Sequence, residues 1–142
     1  MPSPKQARRF ASTDGMGLII LGLSCIGRGV SYFPFARGDS AGRAHYAEEW
    51  LDMTIWATIW VAVGIFAIAV SGRWSSPAAA TATGLTVGLH ALWASSLLLS
   101  TFSGDMSRGY VSAISYLAIV ALSLWAFGRG RRDDRTVVVP RE

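Results

Sequence analysis

The chain has 142 residues, of which 51% are hydrophobic and 15% charged, with a net charge of +4. Nearly every charge lies in the first fourteen residues, in three short connections or after Phe127. That distribution excludes a soluble helical domain, because each soluble helix keeps one face wet and carries charges along it. The positive balance calls for no nucleic-acid partner, since basic ends follow from the bias that keeps Lys and Arg on the cytoplasmic side of a membrane. Arg outnumbers Lys twelve to one and Asn is absent, the mark of a GC-rich coding genome.

Residues 1–14 read as a basic cytoplasmic leader, with Lys5, Arg8 and Arg9. Ser12 or Thr13 is placed to cap the helix that follows. A first span is expected from about Gly15 to Phe35, with Arg28 interrupting it between two glycines. Only about twelve uncharged residues precede Arg28, too few to cross alone, so a re-entrant or interfacial segment is the alternative. Tyr32, Phe33 and Phe35 suit an interfacial aromatic belt, and Pro34 ends the helix. Cys25 stands alone, so there is no intramolecular disulfide and no thiolate cluster. Gly22 falls where a lipoprotein signal wants Leu, Val or Ile, which leaves Cys25 as a small helix-packing residue.

The connection Ala36 to Glu49 is the longest, and its second half is expected to begin the second helix outside the bilayer, capped by Asp39 or Ser40. On such a helix His45, Glu48 or Glu49, and Asp52 share one acidic face. The second span, about residues 50–70, contains eighteen consecutive uncharged residues from Met53 to Val70. At ~1.5 Å per residue that run covers ~27 Å, close to the ~30 Å hydrocarbon core of a bilayer. Ser75 or Ser76 before Pro77 signals the start of the third span, residues 77–102. There Ala80, Gly84 and Gly88 recur every four residues, and GLTVG matches G-x-x-x-G, a pattern that lets helix backbones approach closely in lipid. The partner of that face is either in the chain or in another copy. A fourth span at about residues 110–127 carries Ser112, Ser115 and Ser123, and residues 128–142 form a charged tail.

Four spans put both ends on one side. With both ends inside, the inner segments hold nine Lys and Arg residues and the outer loops three, namely Arg37, Arg43 and Arg108. Both termini are therefore expected in the cytoplasm. The fold class expected is all-α, an integral-membrane four-helix bundle with short loops, occupying residues 15–127.

Arg28 is the residue most open to a functional reading. An ionisable group inside a span costs ~2.5–3.5 kcal/mol on insertion scales and seeks a partner, a cavity or the interface. It lies six residues before Pro34, so it either pairs with Asp52 or Glu48 or snorkels to the surface as an anchor. His90, mid-span, is read as an interhelical hydrogen-bonding group, with a proton relay, pH sensor or haem ligand as the alternatives. His45 lies too shallow by ~15 Å or more to be a second axial ligand. The His45, Glu48, Glu49, Asp52 spacing fits no defined metal motif. No nucleophile has a base beside it and no glycine loop suits a phosphate, so no enzymatic activity, cofactor or metal is expected.

In span count, short loops, Arg-rich ends and composition, the layout resembles small four-span membrane proteins of GC-rich actinobacteria and their phages. Among phage proteins it is similar to multi-span holins, which oligomerise in the inner membrane and open lesions for a cell-wall hydrolase. That resemblance implies a non-enzymatic, self-associating protein, with the third-span small-residue face as its contact. An accessory or scaffold subunit bound to a membrane-protein partner is the second reading. A small transporter or redox protein using Arg28, Asp52 and His90 is the third.

Overall fold

The computed structural model describes residues 14–37, 46–73 and 75–133, all of them helical or in short turns between helices. Among the described residues six α-helices run in the order α1 (Asp14–Tyr32), α2 (Pro34–Arg37), α3 (Tyr46–Glu49), α4 (Met53–Val70), α5 (Pro77–Phe102) and α6 (Gly109–Asp133). A single 3-10 turn, Ser71–Arg73, follows α4. α1, α4, α5 and α6 are the four helices long and apolar enough to cross a membrane.

Their ends follow local chemistry. Asp52 caps α4, its carboxylate accepting the Thr54 N–H at 2.7 Å. Ser76 caps α5 by accepting from the Ala79 N–H, with Pro77 in the first turn where its missing N–H costs nothing. Beyond the C-cap of α5, Gly104 takes a φ of +87°, a left-handed turn that favours glycine. The caps at Ser12 or Thr13 and at Asp39 or Ser40, and the position of His45, lie outside the described residues.

Three boundaries differ from the sequence reading. α1 stops at Tyr32 and is followed by the one-turn α2 from Pro34, because proline cannot continue the ladder from the residues before it. The helix expected to run continuously into the second span is broken: α3 is one turn, and residues 50–52 separate it from α4. Asp52 caps better than it continues, so no single acidic face links Glu48 to Asp52. At the other end, α6 runs past the apolar stretch to Asp133, since arginine is a good helix former.

The tightest packing joins α1 to α4. A Cβ on Gly22 would stand 2.7 Å from the Gly64 carbonyl oxygen, and one on Gly29 would stand 2.7 Å from that of Ala57. Gly22 and Gly29 are seven residues apart, as are Ala57 and Gly64, so two antiparallel helices meet twice on small residues. Around one contact Cys25, Ala57, Trp56, Trp60, Trp93 and Tyr32 form a buried cluster; around the other, Leu18 and Ala67 pack with Ala79 and Ala82. Cys25 is fully buried there.

α3 closes one end of the bundle. Its Ala47 is buried, the Ala47 N–H donates to Ser96 Oγ at 2.7 Å, and its carbonyl accepts the Trp56 indole N–H at 2.8 Å. A non-spanning segment is thus held to α4 and α5 by its own backbone groups, which burial would otherwise leave unpaired.

Candidate functional site

Polar side chains collect on one side of the bundle. On α1, Ser24, Arg28 and Ser31 lie at steps of four and three, and on α6, Ser112, Ser115, Tyr116 and Ile119 do the same. Such steps put side chains on one helix face. With Gly27 and with His90 from α5 they line a crevice of about 410 Å3 among α1, α5 and α6.

Arg28 is held by aromatic rings. Its guanidinium carbon lies 4.8 Å from the centre of the Tyr32 ring and 5.3 Å from that of Tyr116. Cation–π attraction of this kind is worth ~2 kcal/mol or more when water is excluded. The Nη2 atom donates to Tyr32 Oη at 2.8 Å, and the same oxygen accepts the Trp93 indole N–H at 2.7 Å. The Glu48 carboxylate lies close enough to Tyr32 for its charge to bear on that hydroxyl. The Tyr32 hydroxyl therefore links a cation and an indole, with a carboxylate nearby.

Of the acids expected near Arg28, Glu48 is the one brought to its neighbourhood, through Tyr32. Asp52 is spent on the α4 cap. The Thr54 backbone N–H on its carboxylate holds its pKa below the ordinary value.

His90 is nearly sealed and bonded on both sides. Its Nδ1 lies 2.7 Å from the Thr86 carbonyl oxygen, which can only accept, so Nδ1 carries a proton. In the neutral ring Nε2 is then bare, and it accepts the Ser24 hydroxyl at 3.3 Å. One side chain thereby ties α5 to α1. Trp60 meets its ring edge-on with centroids 5.1 Å apart, and Tyr116 lies on it at 5.8 Å.

Ala80, Gly84 and Gly88 are exposed, and a Cβ added to Gly84 or Gly88 meets nothing within 4 Å. The described residues leave this face unfilled. The chain's own close approaches use Gly22, Gly29 and Gly64, which the sequence reading passed over; their signal was the seven-residue small-to-small spacing present in both helices. Tyr116 and the serines of α5, Ser96 and Ser100, were also missed, because single hydroxyl residues in apolar runs carry no spacing of their own.

Among the described residues no three His, Cys, Asp or Glu side chains gather as a metal-binding group. The crevice offers one fixed cation, several hydroxyls and a bonded imidazole, an arrangement suited to holding a polar or anionic group. Comparisons with protein-family models, with curated proteins and with solved structures returned no match.

Proposed function

We propose that this protein is a non-enzymatic, multi-pass inner-membrane protein with both termini in the cytoplasm that works by associating with further copies of itself. In its sharpest form the assembly is a holin-like pore. The observation that carries this reading is the open small-residue face of α5. Ala80, Gly84 and Gly88 lie one turn apart and exposed, and a Cβ on Gly84 or Gly88 would meet nothing within 4 Å among the described residues, whereas Gly22, Gly29 and Gly64 stand against carbonyl oxygens or neighbouring backbone. In lipid, where packing rather than water exclusion drives association, such a face is worth most when a second helix fills it.

Two features add support. The apolar window of α6 is only 6% buried within the chain. The nine-to-three distribution of Lys and Arg supports the orientation. An accessory-subunit role is the second reading, favoured by the extension of α6 past its apolar stretch into an arginine-rich segment suited to docking.

The test is membrane potential and dye entry after induced expression in a bacterial host. An abrupt, delayed collapse that is absent in Gly84→Leu supports the pore. A potential that holds throughout strong expression refutes it.

A further inference from the structure

We propose that the crevice among α1, α5 and α6 binds the phosphate of an anionic phospholipid headgroup, with Arg28 as its anchor. This goes beyond self-association and does not depend on it.

Arg28 has donors to spare. A guanidinium carries five N–H groups, and here one of them, on Nη2, reaches an acceptor among the described residues. Nε is buried with no acceptor among the described residues. A cation in an apolar helix normally extends to water, but the Tyr32 and Tyr116 rings hold this one against the bundle. Its remaining Nη hydrogens need acceptors, and a phosphate supplies several in the geometry that the guanidinium fork matches.

Hydroxyls stand beside it. The Ser24 and Ser31 protons are spent on His90 and on the Arg28 carbonyl. Ser115 makes only a 3.5 Å contact to the Val111 carbonyl, and the Ser112 hydroxyl has no protein partner among the described residues. These two, on α6, face Arg28 across the crevice and complete a donor set drawn from two helices.

Depth and surroundings favour a lipid as the source of the phosphate. Arg28 is four residues from Tyr32, the end of α1, a rise of ~6 Å. That is within reach of headgroup level for a helix crossing a bilayer. About two turns back along the same helix Ile20 is exposed at 60%, an apolar contact for an acyl chain below the charge. The volume of about 410 Å3 lies within the range of small-ligand sites. Glu48 opposes Arg28 through Tyr32 but does not line the crevice, so its charge limits the affinity without blocking entry.

The experiment uses the full chain, purified in a neutral detergent and titrated with dioleoylphosphatidylglycerol, with dioleoylphosphatidylcholine and with inorganic phosphate. Binding is read by native mass spectrometry. Saturable binding of the phosphatidylglycerol is expected, weakened ~10-fold or more in Arg28→Gln, as loss of charge-assisted hydrogen bonds implies. Ser112→Ala, at an exposed position that does not threaten the fold, is expected to weaken it severalfold. Glu48→Gln is expected to tighten it. Equal binding of phosphatidylcholine, or phosphatidylglycerol binding unchanged in both Arg28→Gln and Ser112→Ala, overturns the proposal. Competition by millimolar inorganic phosphate at the same site overturns the lipid as the source and leaves a free-anion site. Because each copy carries a whole crevice, the binding persists in Gly84→Leu even if self-association fails.

Discussion

Replacing Gly64 by Ala tests the packing account at its tightest point. The added Cβ would stand 2.5 Å from the Gly22 carbonyl oxygen, 2.7 Å from Ile26 Cγ1 and 3.0 Å from the Ile26 nitrogen. Ile26 can rotate its side chain away, but two of the three atoms are backbone and move only if the helices part. Reaching ordinary contact near 3.4 Å requires α1 and α4 to separate by roughly 0.9 Å there. Overpacking of this kind costs ~1–3 kcal/mol, and the helix-propensity gain of Ala over Gly returns at most ~1 kcal/mol. A net loss of about 0–2 kcal/mol follows, and of about 1–3 kcal/mol relative to a Gly-to-Ala change that meets nothing. Gly84→Ala is the control: its Cβ meets nothing within 4 Å, so within one chain only the propensity gain remains. Unfolding in mixed micelles of rising dodecyl sulfate fraction, followed by tryptophan fluorescence, should order the proteins as Gly84→Ala, wild type, Gly64→Ala from most to least stable. A Gly64→Ala protein as stable as Gly84→Ala would refute the close helix contact.

Ser96→Ala leaves the buried Ala47 N–H without its acceptor and should cost ~1–3 kcal/mol. It should also speed proteolysis at α3 while α4 and α5 stay protected. His90→Phe keeps the ring volume but removes the bonds to Thr86 and Ser24, so a loss of ~1–2 kcal/mol is expected, with the bundle still formed by circular dichroism. The Asp52 carboxylate is held below its ordinary pKa by the Thr54 N–H, so its capping contribution is complete above the ordinary carboxylate range and fades as pH falls through the lowered value. Protection of the first turn of α4 should therefore drop in strong acid for wild type but stay flat with pH in Asp52→Asn.

Three of the four long apolar helices were legible because an uncharged run of eighteen residues has few other uses, and α1 because its apolar run resumes beyond Arg28. The Ser76–Pro77 start of α5 was legible for the same kind of reason, since capping chemistry is local. The break between α3 and α4 was not, because a short acidic stretch suits a continuous helix and a turn-plus-cap equally until Ser96 and Trp56 claim the Ala47 backbone. Arg28 announced itself as a charge in an apolar run. Its cradle did not: Tyr32 reads as an interfacial belt residue, and Tyr116 is one aromatic among many, until the helices bring both to one guanidinium. The G-x-x-x-G pattern drew attention to Gly84 and Gly88, whereas the glycines that pack within the chain follow a seven-residue spacing across two helices. A pattern confined to one helix can mark an interface, but only the fold says which partner fills it.

Subunit counting by stepwise photobleaching, at low protein-to-lipid ratio in bilayers, tests self-association most directly. The account predicts more than one copy per diffusing unit for wild type, and a shift to single copies in Gly84→Leu, at an exposed position where an added Cβ meets nothing within 4 Å among the described residues. Single copies for wild type across the concentration range, or oligomers unchanged in Gly84→Leu, would contradict it.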